Sequence, residues 1–251
     1  MSIVRRNHGR GHSYLIDGRK IPGVTTILGD TMPKPALINW AGRTTAAYAV
    51  DYWDELAGLA PSKRLDRLNG ARFEEKDQAA RRGTEVHTLG ERLVKGEEVD
   101  VPDELAGHVD AYVDFLNTWD PQPVAVEVVL ANRAVGYCGT ADLIADMRGQ
   151  RWLLDLKTAR SGIFPETALQ CCAYAHAEVY VCKEGEEHPL ADLGIERVGA
   201  VHVRADGWDL RPVEWGEDVW TYFRHLAWLF RQADQLEGWV GPALAPLRAV
   251  S

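Results

Sequence analysis

A mixed-sheet α/β fold is what this sequence predicts, and three observations carry the expectation. Two hydrophobic runs, Cys138-Gly-Thr-Ala-Asp-Leu-Ile-Ala-Asp146 and Trp152-Leu-Leu-Asp-Leu-Lys157, flank Met147-Arg-Gly-Gln150, whose glycine suits a tight hairpin turn. A third run, Val124-Ala-Val-Glu-Val-Val-Leu130, is apolar on both faces, the pattern of a central strand. Helical spacing over 78–94 and 165–181 brackets these strands, and 197–204 reads as a fourth strand. The resulting core order is αβββαβ.

Taken in order along the chain, 14–28 reads as a short hairpin around Asp17-Gly18, followed by Pro22-Gly23 and a helix start at Val24. After Pro33 and Pro35, the alanine-rich stretch 36–57 is expected to be helical, and 61–93 to hold one or two helices. On the helix over 78–94, Val86, Leu89 and Leu93 form the apolar stripe. Past the helix at 165–181 and the strand at 197–204, Asp206-Gly207 reads as a hairpin turn and 208–213 as the return strand. A closing helix is expected over 217–237, with Trp220, Phe223, Ala227 and Phe230 at helical spacing as a core-facing or partner-facing stripe. No repeat, low-complexity tract or linker divides the chain. The expected organisation is an N-terminal hairpin and helical region (1–80), a core (81–215) and a C-terminal helix and tail (216–251), packed as one compact domain.

The charges on these strands point to a site. Residues i and i+2 of a strand share a face, so Asp155 and Lys157 sit side by side. If Arg148 and Gly149 are the two turn residues, Met147 pairs with Gln150 and Asp142 falls across from Asp155, with Cβ atoms roughly 5 Å apart. Two carboxylates held that close repel unless a cation or proton sits between them, and hard divalent cations favour oxygen ligands. Glu127 is the only charge in its run, and pairing through the turn at 132–137 places it opposite Asp142. A lone buried carboxylate is costly, so it too needs a partner.

In order, Arg82-Gly-Thr-Glu-Val-His87, Glu127, Gly139-Thr-Ala-Asp142, Asp155-Leu-Lys157 and Gln170-Cys-Cys-Ala-Tyr174 resemble the motif series of the PD-(D/E)XK nuclease superfamily. The resemblance covers about 81–205. It lies in the RecB-like, phage-type exonuclease branch, which is related to CRISPR-associated iron–sulfur exonucleases. It implies a restriction-endonuclease-like core behind an N-terminal helical region. It further implies that His87, Asp142 and Asp155, with the carbonyl of Leu156, ligate Mg²⁺, for which Mn²⁺ would substitute. Lys157 would orient or deprotonate the attacking water and stabilise charge on the phosphate, and Glu127 would hold a second metal, a water or Lys157. Gln170 and Tyr174, at i and i+4 of a helix, would line the substrate side with Thr84 and Thr158.

Each residue also has a plain structural reading. His87 alone would be a partly buried structural histidine, Asp142 a surface acid, Asp155 with Lys157 an ordinary ion pair, and Tyr174 a packing residue. The implied partner is DNA, together with a single-strand annealing or recombination protein. The implied role is an exonuclease in phage or bacterial recombination and end processing, the alternatives being a structure- or site-specific endonuclease and a non-cleaving binder of DNA or protein.

A net charge of -9 runs against nucleic-acid binding. The total hides an asymmetry: Arg5, Arg6, Arg10, Arg19, Lys20, Lys34 and Arg43 face only Asp17 and Asp30 in residues 1–45, a local +5. That segment is either a substrate contact or a solvated arm. Cysteines 138, 171, 172 and 182 do not follow the one-plus-three pattern of the iron–sulfur relatives, so no cluster is expected and buried free thiols are. With no run of 18 apolar residues and no signal-peptide pattern, the expected location is cytoplasmic.

Overall fold

In the computed structural model, which describes residues 2–8 and 11–242, the described residues form two sheets and seven α-helices. Strands β1 (Ile3–His8), β2 (Gly11–Ile16) and β3 (Arg19–Ile21) make a small antiparallel sheet, followed by helices α1 (Val24–Thr31), α2 (Pro35–Asp51), α3 (Trp53–Ala57), α4 (Pro61–Val94) and α5 (Ala106–Trp119). The main sheet uses β4 (Gln122–Asn132), β5 (Tyr137–Met147), β6 (Gln150–Lys157), β7 (Val179–Val181), β8 (Glu187–Pro189), β9 (Arg197–Arg204) and β10 (Gly207–Pro212) in the order β10-β9-β6-β5-β4-β7-β8. Helices α6 (Glu166–Ala175) and α7 (Glu217–Gln232) complete it. Among the strands of the described residues, β6 and β9 alone pair in parallel. The mixed sheet and the order α4 or α5, β4, β5, β6, α6, β9 are those of a restriction-endonuclease-like α/β fold.

The expected β5–β6 hairpin has its expected register, Met147 opposite Gln150. Arg148 (φ 49°) and Gly149 (φ 78°) form the turn, a left-handed pair that matches strand twist. Asp17 (φ 50°) and Gly18 (φ 79°) repeat the device between β2 and β3. Alternation along the central strands feeds two cores. Leu143, Ala145, Met147, Leu154 and Leu156 meet Tyr112 and Phe115 of α5. Ile144 and Leu153 meet Ile27 of α1, Cys171 and Cys172 of α6, and Trp220, Phe223 and Ala227 of α7. The stripe on α7 therefore faces the core. Ile3, Tyr14 and Ile16 of the small sheet pack on Ala131 and Cys138, so the basic N-terminal strand is seated on β4 and β5 rather than free.

Several elements differ from expectation. The helix expected over 165–181 ends at Ala175, and Val179–Val181 is strand β7 instead. Its β-branched residues pack beside β4, where a pleated surface suits them better than a helix. The stretch 36–57 breaks into α2 and α3, whereas α4 runs unbroken for 34 residues through Gly70 and Gly83. Between β9 and β10 the turn residues are Ala205 and Asp206, since Arg204 pairs with Gly207. The closing α-helix stops at Gln232 and continues as a 3-10 helix to Trp239. Strands β1 and β8 and helix α5 were not anticipated, although Val109, Tyr112 and Phe115 carry a helical stripe. Arg10 and the tail beyond 242 lie outside the described residues. Among the described residues no helix is long and apolar enough to cross a membrane.

Buried Asn132 ties the end of β4 to its surroundings: its amide donates to the His176 carbonyl (2.9 Å), and its oxygen accepts the Val135 N–H (2.8 Å). Asn132→Ala leaves both partners unpaired, and urea unfolding should show a loss of about 1–3 kcal/mol at unchanged m-value.

Candidate active site

The site lies where β5 and β6 part. Their ladder ends at Leu143 opposite Leu154, one step before Asp142 and Asp155 would face each other. Past that step the Leu156 N–H has no strand partner on this side, and it donates instead to Asp142 Oδ2 at 2.6 Å. Asp142 Oδ1 lies 3.6 Å from His87 Nδ1 on α4. On the other flank Val126 pairs with Leu143 and Val128 with Ala141, leaving Glu127 beside Asp142 in the expected register. Glu127 takes φ 52°, a left-handed conformation inside a strand that only a tightly determined position sustains. One ligand atom each from His87, Glu127 and Asp142 falls within 4.8 Å of the other two. A cavity of about 20 Å³, room for about one water, is lined by these three with Glu91, Tyr112 and Leu156.

His87 reaches this place because of what α4 lacks. Gly83, His87 and Gly90 share one helix face at i, i+4 and i+7. A Cβ on Gly83 would press on the Thr158 hydroxyl (3.2 Å), and one on Gly90 on the Tyr112 ring (3.2 Å). The glycines let the helix approach the end of β6 and α5.

Asp155 belongs to a neighbouring group. It is buried, with Lys157 Nζ 2.7 Å from its Oδ2. Gln170 of α6 bridges the pair, its Nε2 donating to Asp155 Oδ1 (2.7 Å) and to the Tyr174 hydroxyl (3.0 Å), while its Oε1 accepts from Lys157 Nζ (3.0 Å). The shared face of Asp155 and Lys157, and that of Gln170 and Tyr174, are thus as expected. The structure does not bring Asp155 into the compact donor set with His87 and Asp142; it places Glu127 there. Thr158 sits against Gly83, whereas the exposed Thr84 hydroxyl donates to the Ala80 carbonyl of its own helix.

Burial shapes the protonation states. Burial would raise Asp142, but His87, the Leu156 N–H and Lys157 outweigh it and hold that carboxyl below the usual range. Burial wins for Asp155 and, with Asp142 adding repulsion, for Glu127, and both are raised. Burial opposes the charged forms of His87 and Lys157, yet their carboxylate neighbours prevail and both are raised, so Lys157 is an ammonium.

Two contributors escaped the sequence. Arg5 of β1 brings Nη1 within 3.2 Å of Glu127 Oε2; its only signal was membership of the basic N-terminal group. Buried His202 of β9 donates from Nε2 to the Ala159 carbonyl (2.9 Å), tethering the chain as it leaves Lys157; one histidine in an apolar strand gave no warning of it.

No protein-family model matches the sequence, and a search of curated proteins gives no match. Among solved structures, the chain is similar to an alkaline exonuclease from Laribacter hongkongensis, with a TM-score of 0.37, 12% identity, and coverage of 60% of this chain and 79% of that one. It is also similar to a protein designated SSO0001, with a TM-score of 0.30, 15% identity, and coverage of 54% of this chain and 62% of that one.

Gly139 lies beneath the Tyr174 ring, where an added Cβ would overlap the ring carbons. Gly139→Ala should therefore displace Tyr174 and cost about 1–3 kcal/mol in thermal or urea unfolding. A matched Ala substitution at Gly42, where the space is open, should not.

Proposed function

We propose that this chain is a divalent-metal-dependent deoxyribonuclease of the PD-(D/E)XK type. The observation that carries the reading is the adjacency of a three-donor cation site to an ammonium locked in place by a buried carboxylate and Gln170. The donors fit such an ion: two carboxylates and an imidazole around a cavity of ion-like size, with Asp142 held in its charged form. Mg²⁺ or Mn²⁺ held by His87, Glu127 and Asp142 would supply electrophilic stabilisation of a phosphodiester and lower the pKa of a water.

The chain's own residues do the rest. Gln170 and Asp155 orient Lys157, and the Asp155 and Asp142 carboxylates keep it protonated, so its contribution is positive charge for the phosphate oxygens rather than removal of a proton. Arg5 shares Glu127 with the cation site, and its guanidinium is a phosphate contact that the small N-terminal sheet brings to the edge of the acids. Buried Tyr174 stays a neutral phenol and props Gln170. In this reading Asp155 positions Lys157. The proposed biology is an exonuclease acting in phage or bacterial recombination and end processing, with a single-strand annealing or recombination protein as a candidate partner. An endonuclease is the alternative.

Lys157→Ala should lower cleavage by about 10²–10³-fold. It should also lower the melting temperature, because it strands the Asp155 carboxylate in the interior. Asp155→Asn in the same chain should recover stability but not the rate. Near wild-type cleavage by Lys157→Ala would remove the ammonium from the mechanism.

On end-labelled linear and covalently closed DNA, Mg²⁺ or Mn²⁺ should support progressive loss of the linear form while closed circles persist, and EDTA should stop the reaction. Rapid nicking of closed circles would move the activity to an endonuclease. No cleavage under any metal would leave a non-cutting binding protein.

A further inference from the structure

The β7–β8 hairpin carries a second group of metal-type donors, far along the sheet order from β6. Val179 pairs with Pro189, Tyr180 with His188 and Val181 with Glu187. The Cys182 N–H then donates to the Glu186 carbonyl (2.9 Å), and the Gly185 N–H (φ 84°) closes the turn on the Cys182 carbonyl (3.0 Å). Because strand side chains alternate, this register sends Tyr180, Cys182, Glu186 and His188 to one face. The other face is fixed from below: Val179 and Val181 pack on the small sheet's core, and Arg133 Nη2 donates to Glu187 Oε2 at 2.6 Å.

On the open face, one ligand atom each from Cys182, Glu186 and His188 lies within 4.8 Å of the other two. The His188 ring stacks on Tyr180 with centroids 5.5 Å apart, which limits its orientation, and its Nε2 is 3.9 Å from Glu186 Oε2. We infer that this face is a zinc site, with Cys182, Glu186 and His188 as ligands and water or a further carboxylate in the fourth position. Sulfur, nitrogen and oxygen donors together select a borderline-soft tetrahedral ion such as Zn²⁺ over Mg²⁺ or Ca²⁺. Glu184 lies beside Cys182 on the same turn, so a fourth oxygen is at hand. Cys182 is half-buried where the other three cysteines are buried. The ion would cross-link both strands at the tip of the hairpin and close the three-residue edge strand β8, which otherwise ends the sheet with few contacts.

Co²⁺ and Zn²⁺ are the probes, added to the full chain in the wild type and in Asp142→Asn, where the first site is disabled. Co²⁺ should produce sulfur-to-metal charge-transfer absorption and the visible bands of a tetrahedral ion in both proteins, and Zn²⁺ should bleach them. Cys182→Ser and His188→Ala should abolish the charge-transfer band. Zn²⁺ should also slow modification of Cys182 by a thiol reagent, and Glu186→Gln, which leaves thiol and ring in place, should weaken that protection. A wild-type spectrum without the charge-transfer band, a band that survives Cys182→Ser, or thiol protection indifferent to both His188→Ala and Glu186→Gln would overturn the site.

Discussion

The hydrogen bond from the Leu156 N–H to the Asp142 carboxylate is the interaction on which the rest of the site depends. A continued ladder would have spent that N–H on a backbone carbonyl and left two acids facing each other. Instead the strands part and the acids diverge. Asp142 turns to His87 and Glu127, while Asp155 turns to Lys157 and Gln170. One backbone donor thus separates the His87–Glu127–Asp142 donor group from an ammonium-holding group while keeping Asp142 and Asp155 on consecutive strands.

That division also sets the local balance of charge. Three carboxylates meet here, and Arg5, His87 and Lys157 stand against them. With both cationic side chains engaged and His87 drawn towards its protonated form, the group is close to balanced before any ion arrives. The formal charge of -9 belongs to the rest of the surface and says little about this cleft.

Much of this was legible in the sequence because registers are local. Arg148-Gly149 fixed the β5–β6 pairing, and the lone acid Glu127 in an apolar run marked its own position opposite Asp142. Gly139 and Gly83 looked like parts of motifs, and their physical reason, the approach of Tyr174 and Thr158, needs coordinates. Register gives Cα neighbours and not side-chain direction where a ladder stops, so the divergence of Asp142 from Asp155 could not be read. Arg5 was hidden for another reason: it meets Glu127 across 122 residues, through a small sheet whose docking no local pattern encodes. The same holds for β7, whose Val-Tyr-Val could extend a helix until Ala131 of β4 claims it.

Helix α4 adds a mechanical consequence. His87 stands near one end of an uninterrupted rod, and Pro61 at the other end is about 40 Å away along the axis. A rod of hydrogen-bonded turns carries a tilt along its length instead of absorbing it. Around Gly83 and Gly90 the contact with Thr158 and Tyr112 is tight, so the glycine face serves as a fulcrum. The imidazole sits at that fulcrum, where a swing of the long arm translates it least. Whatever α2 does against the distant half of the rod, the spacing between His87 and Asp142 is the quantity this geometry conserves.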